Sequence, residues 1–109
     1  MAYIITMEFI ETPTFTRLVN ALLSEEEQRK LQNELLDNPE RGQIIRGGGG
    51  IRKVRCAVHG TGKSGGTRVI YYWAKSKNQI YMLFIYPKSD QDNLTDQQTA
   101  ILRDYVKEL

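Results

Sequence analysis

The sequence predicts an α+β fold in which an antiparallel meander is backed by helices on one face, in the order β-α-α-β-β-β-α. Three observations carry this. Two amphipathic stretches precede residue 40 and a third follows residue 94; three β-rich runs with short polar connections lie between Ile51 and Tyr86; and all nine glycines fall between Gly42 and Gly66, away from the helical segments. A chain of 109 residues can bury one core but not two, so residues 1–109 are read as one compact domain.

Each element has its own signal. Tyr3 to Phe9 is short and β-rich, and Thr12-Pro13 closes it. Phe15, Leu18, Val19 and Leu22 then recur at helical spacing, with Pro13 at the first helical position, where its missing N–H costs nothing. Ser24-Glu25-Glu26-Glu27 has the pattern of a capping box, with acids favouring the positive end of the helix dipole. Leu31, Leu35 and Leu36 supply an apolar stripe that Asn38-Pro39 ends. Residues 13–38 therefore form a helical hairpin. The four glycines Gly47 to Gly50 lead into Ile51 to Val58, whose period-2 alternation places Lys53 and Arg55 on one face and Val54, Cys56 and Val58 on the other. A glycine-rich turn, His59 to Gly66, leads to Thr67 to Trp73, and Lys75 to Gln79 leads to Ile80 to Tyr86, giving the meander. Gly47–Gly50 and Gly60–Gly66 are expected to be mobile. Thr95-Asp96-Gln97-Gln98 is a second capping-box pattern, followed by the stripe Ile101, Leu102, Tyr105 and Val106 of a last helix.

Charge is distributed unevenly behind a net value of only +2. Arg41 to Lys88 contains ten Lys or Arg and no Asp or Glu, a local +10, while the flanks hold all 13 acids against five bases, a local −8. A sheet covered by helices on one face leaves its other face to water or a ligand, and here that face is expected to be basic, with no carboxylate beside it.

This pattern excludes several classes of function. One His, one Cys and no carboxylate from residue 41 to 89 leave a cation without ligands near the basic face, so no metal site and no cofactor are expected. Paired-carboxylate hydrolysis fails for the same reason, and no nucleophile motif supports a Ser-His-Asp set. Gly60-Thr61-Gly62-Lys63-Ser64 is similar to a phosphate loop, but Ala57 stands where the first glycine is needed and a β-rich run follows where a helix should. The lone Cys56 has no disulfide partner, which suits a reducing cytoplasm. No basic leader and no membrane-length apolar run is present, so neither secretion nor membrane insertion is expected.

A cluster of cations and phenols free of acids fits a polyanion: Lys and Arg neutralise phosphates, and aromatic rings stack on unpaired bases. Lys53, Arg55, Arg68, Tyr86 and Lys88 lie on or beside adjacent strands. The same groups could act on RNA, which carries its own nucleophile in the 2′-hydroxyl and needs only proton transfer and charge stabilisation at phosphorus. Lys63 at a hairpin tip, Arg52 and His59 are further RNA-binding candidates. Arg52, Lys75 and Lys77 also suit edge protection, His59 suits a loop surface as well as proton transfer, and Tyr71, Tyr72, Trp73 and Tyr81 suit packing better than base stacking.

Taken in order, four segments carry a resemblance that spans almost the whole chain. They are Asn38-Pro39-Glu40-Arg41-Gly42, Gly49-Gly50-Ile51-Arg52-Lys53-Val54-Arg55, Gly65-Gly66-Thr67-Arg68-Val69-Ile70-Tyr71-Tyr72, and Ile85-Tyr86-Pro87-Lys88 before the last helix. The chain resembles the RelE/HigB-like toxins of bacterial type II toxin–antitoxin systems, closest to the HigB-like branch. The resemblance implies a compact RelE-like domain that cleaves mRNA on the ribosome without a metal, inhibiting translation in the cytoplasm. It also implies a cognate antitoxin, often with a helix-turn-helix, that neutralises the toxin. Lys53, Arg55, Arg68 and Lys88 would bind phosphate and stabilise transition-state charge, and Tyr86 or His59 would transfer protons. Pro87 departs from the family's usual glycine, and Lys88 stands alone where many members carry two adjacent cations. The alternative on the same face is a non-catalytic RNA- or ribosome-binding module; a weaker one is a scaffold that recognises an acidic protein.

Overall fold

The computed structural model describes residues 6–58 and 62–109. Its elements are β1 (Glu8–Glu11), α1 (Pro13–Leu22), α2 (Glu25–Asp37), β2 (Gln43–Ile44), β3 (Arg52–Val58), β4 (Gly62–Ala74), β5 (Gln79–Pro87) and α3 (Asp96–Lys107). The five strands form one sheet in the order β1-β5-β4-β3-β2. β3, β4 and β5 are the expected antiparallel meander. β2 adds a two-residue antiparallel edge, and β1 joins the other edge parallel to β5, so the sheet is mixed.

The helix signals act as read. Thr12 caps α1 by accepting from the Phe15 N–H, and the capping boxes of Ser24 with Glu27 and Thr95 with Gln98 are both closed. Thr12 also fastens α1 to β5: its N–H donates to the Met82 carbonyl at 3.0 Å and its hydroxyl to the Leu83 carbonyl at 2.8 Å. The first strand begins later than expected, at Glu8, and the expected strand residues 3–5 lie outside the described residues. The glycine run at 47–50 forms a turn in which Gly47, Gly49 and Gly50 take positive φ, a conformation glycine adopts without strain. The Gly48 N–H closes the turn on the Ile45 carbonyl at 3.0 Å.

The helices do not share one face. α1, α2 and the junction between them bury Phe15, Val19, Leu23, Leu31 and Leu35 against Val54, Val69, Tyr71, Ile80, Met82 and Ile85. Val106 of α3 packs with Ile51, Ile70, Leu83 and Tyr86, with Leu102 and Phe84 at the border. Because neighbours along a strand point to opposite faces, these are two cores on opposite sides of the sheet. The one-sided arrangement is thus corrected, and the reason lies in β4 and β5, whose Val69-Ile70-Tyr71-Tyr72 and Ile80 to Tyr86 are apolar without alternation. Such strands must be covered on both faces. A bulge helps: the register steps from Ile70 opposite Phe84 to Tyr71 opposite Met82, so Leu83 is an extra residue and both Leu83 and Phe84 join the α3-side core.

Candidate functional site

α3 covers only part of its face, and the cations occupy the remainder. The β3–β4 register sets Arg55 opposite Arg68, and the β4–β5 register sets Arg68 opposite Tyr86, so the three form a row across three strands. Lys53, two residues before Arg55 and opposite Ile70, is on the same face. Directly opposed like charges are destabilising in a sheet. The Arg55–Arg68 pair is therefore a feature that packing alone would not select.

Arg68 is the centre of the row, with only 1% of its surface exposed. It enters the site from Gly66-Thr67, and Gly66 lies tight against the neighbouring strand: a Cβ there would run into the Cys56 carbonyl. Beyond Pro87 the ladder continues for one bond, from the Lys88 N–H to the Gly66 carbonyl at 3.0 Å, which places Lys88 at the end of the strand that carries Tyr86.

One expectation about the face is overturned. A carboxylate does stand beside the cations, supplied by the segment between β5 and α3. Asp92 Oδ1 lies 3.5 Å from Arg68 Nη2, and its backbone carbonyl accepts from Lys53 Nζ at 3.5 Å and from the Tyr86 hydroxyl at 3.4 Å. Lys53 Nζ also donates to Asn93 Oδ1 at 2.6 Å. Two adjacent residues of one loop thus meet three of these four side chains on the face, Arg68, Lys53 and Tyr86. Asp92 belongs to the acidic C-terminal flank, and linear separation from the cations concealed its proximity.

The electrostatics follow from these neighbours. Burial, with help from the Arg55 and Arg68 charges, holds the Lys53 ammonium below the usual lysine range, against the opposing pull of Asp92. Burial likewise raises the Tyr86 phenol, assisted by Asp92 and opposed by Arg68, so at neutral pH Tyr86 is an un-ionised O–H donor. A lysine with a lowered pKa, a neutral phenol and two guanidiniums can bind a phosphate, stabilise added negative charge on it and exchange protons with its oxygens.

One described candidate does not join the group. Arg52 lies opposite Tyr71, on the α1/α2 face, and its guanidinium donates to the Gly42 carbonyl at 2.8 Å and the Glu40 carbonyl at 3.2 Å, and pairs with Glu40 at 3.4 Å. It anchors the connector before β2. His59 lies outside the described residues, as does the Lys63 side chain; the Lys63 backbone is part of β4, which begins at Gly62, so a strand stands where a phosphate loop needs a helix. Tyr71 is fully buried, and Tyr72, Trp73 and Tyr81 are half-buried packing residues.

Sequence reading missed Asp92, Asn93 and two groups at the β2 edge, Arg41 and Gln43, which with Lys53, Val54 and Arg55 line a cavity of about 370 Å³. For Arg41 the signal was present, since it begins the acid-free stretch. Among the described residues no three His, Cys, Asp or Glu side chains come together as a metal site would require, and no helix is long and apolar enough to cross a membrane.

Among the solved structures that share this fold are three of E. coli proteins. The intact E. coli RelBE toxin–antitoxin complex contains a chain 19% identical to this one, aligned over 73% of this chain and 94% of that one with a TM-score of 0.58. A mutant of E. coli toxin RelE in the free state gives 17% identity over 81% and 90% of the chains with a TM-score of 0.60. The isolated E. coli RelE toxin gives 15% identity over 92% and 99%, with a TM-score of 0.59. Residues 12–109 match the family described as "RelE toxin of RelE / RelB toxin-antitoxin system", while the narrower HigB-like placement rests on the sequence resemblance alone. With the match running from the cap of α1 to the last residue, this chain belongs to the RelE toxin family of toxin–antitoxin systems.

Proposed function

We propose that this toxin is a metal-independent endoribonuclease that cleaves mRNA on the ribosome, and that a cognate antitoxin silences it. The observation that supports this most directly is the row of Lys53, Arg55, Arg68 and Tyr86 on one sheet face. In the reaction the RNA 2′-oxygen forms a bond to the adjacent phosphorus while the bond to the 5′-oxygen breaks. The 2′-hydroxyl proton leaves to a base and the 5′-oxygen gains one, yielding a 2′,3′-cyclic phosphate and a 5′-hydroxyl. Arg68, Arg55 and Lys53 hold the phosphate and offset its growing charge, Lys88 binds at the rim, and Tyr86 is poised to donate to the leaving oxygen. Asp92 holds the position of an anion beside Arg68, so substrate phosphate competes with it. An antitoxin with an acidic segment, carried beside a helix-turn-helix in the family's manner, would find the same +10 stretch. The proposed setting is the cytoplasm, where mRNA and ribosomes are found.

The test is expression in cells together with cleavage of mRNA in a purified translation system. Arg68→Lys and Arg68→Gln keep more of the buried volume than Arg68→Ala, whose cavity would lower stability. Arg68→Gln, shown by thermal melting to be folded, is expected to relieve growth arrest and abolish cleavage; full toxicity in a folded Arg68→Gln protein refutes the assignment. A non-catalytic RNA-binding module is the second reading, motivated by the absence of an ordinary general base such as His among the described residues of the row. Undiminished ribosome binding with uncut mRNA would select it.

A further inference from the structure

The cation row does not end at Arg55. Lys53 and Arg55 also line the cavity of about 370 Å³ shared with Arg41, Gln43 and Val54, which extends toward the β2 edge. Gln43 lies directly opposite Lys53 in the β2–β3 ladder. Three of the five lining residues are cations and none is an acid. Arg55 is exposed and makes no ion pair with any described residue. Arg41 Nε faces Glu34 Oε2 at 3.3 Å, a carboxylate that does not line this cavity, and this is its one ion pair among the described residues. The cavity thus gathers positive charge that the protein itself neutralises only in part.

It is also held in shape. Gly42, the residue between Arg41 and Gln43, is buried and tied down on both sides: its N–H donates to the Tyr71 hydroxyl at 2.8 Å and its carbonyl accepts from Arg52 at 2.8 Å. A site whose backbone is fixed in advance loses little entropy when a ligand arrives. Arg41 supplies a planar fork suited to phosphate, and Gln43 an amide that can donate to a phosphate oxygen or to a base edge.

We infer that the cavity between β2 and β3, lined by Arg41, Gln43, Lys53 and Arg55, is a second phosphate subsite, holding the backbone of a single RNA strand beside the phosphate bound at Arg68. This rests on the RNA reading above. Lys53 and Arg55 are shared between the two positions, so the strand crosses β3 from Arg68 outward to Arg41. A strand long enough to reach both positions binds more tightly than one that fills only the first.

The probes are uncleavable 2′-O-methyl oligoribonucleotides of two and six nucleotides, with binding to the full chain measured by fluorescence anisotropy across a salt series. Arg41→Ala combined with Gln43→Ala is expected to weaken the hexamer on the order of fivefold and to reduce its salt slope by about 0.7, the value for one lost phosphate contact on a single strand, while leaving the dinucleotide unchanged. Glu34→Gln, which removes the carboxylate facing Arg41, is expected to tighten the hexamer alone. Because Arg41 is exposed and Glu34 only partly buried, the ion pair is weak, and neither change should move the melting temperature appreciably. Hexamer binding unaffected by the Arg41/Gln43 change, or dinucleotide binding weakened equally, overturns the subsite. Failure of the unmodified protein to bind either oligomer at low salt overturns the RNA reading itself, and the subsite with it.

Discussion

Removing a single oxygen atom from the core should loosen the connector that shapes the cation face. Tyr71 is fully buried, yet its hydroxyl donates to the Pro39 carbonyl at 2.7 Å and accepts from the buried Gly42 N–H at 2.8 Å. Tyr71→Phe keeps the ring, its packing and the sheet register. It leaves the Gly42 N–H without a partner, while the less buried Pro39 carbonyl can turn to water. Stranding one buried donor costs about 1–3 kcal/mol and losing the second bond about 0.5–1 kcal/mol, so the expected loss is about 1.5–4 kcal/mol. For a domain of this size that corresponds to a fall in melting temperature of roughly 6–20 °C. Thermal and urea unfolding would measure it, with an unchanged urea m-value showing that the folded and unfolded states keep their compactness. The pH dependence is a second check. Burial raises the Tyr71 phenol above its ordinary value of 10.0, so the folded state retains a proton that the unfolded state releases, and stability falls as pH rises past about 10. Tyr71→Phe should flatten part of that alkaline slope, leaving the contribution of Tyr86, which is raised for the same reason. A loss below about 0.5 kcal/mol, or an alkaline slope equal to that of the parent, would show that the hydroxyl does not tether Gly42.

Other expectations concern the site and its support. Asp92→Asn removes the anion beside Arg68 and should tighten RNA binding on the order of two- to fivefold at low salt; it should also lower the Lys53 pKa further, since Asp92 is the influence that raises it. Weaker binding, or a Lys53 titration that moves upward by NMR, would contradict this. Cys56 faces the α1/α2 core, and its thiol is pushed up from 9.0 to about 12, chiefly by burial. At neutral pH its thiolate fraction is roughly a thousandfold below that of an ordinary cysteine, and alkylation within tenfold of the free amino acid would refute its burial. Gly66→Ala should destabilise the protein and lower RNA binding together, because the new Cβ meets the Cys56 backbone carbonyl at the strand contact that leads to Arg68. An unchanged melting temperature would show that β3 can move aside.

The local elements were legible in the sequence because their causes are local. Ser24 with Glu27 and Thr95 with Gln98 close capping boxes over three residues, and the alternation from Arg52 to Val58 assigns Lys53 and Arg55 to one face wherever the strand sits. The acid-free stretch from Arg41 to Lys88 likewise contains the cations that share the α3-side face, and the order of its motifs pointed to the family. Tertiary structure decided which of those cations meet. The registers set Arg55 and Tyr86 on either side of Arg68 and sent Arg52 to the opposite face, where it holds the connector. It also decided that α3 covers the second face of the sheet, which the doubly apolar β4 and β5 had made necessary. Most consequentially, it brought Asp92 from the acidic flank to within 3.5 Å of Arg68. Charge counted along a chain measures separation in sequence, whereas the force between charges depends on distance in space, and only the folded connection between β5 and α3 supplies that distance.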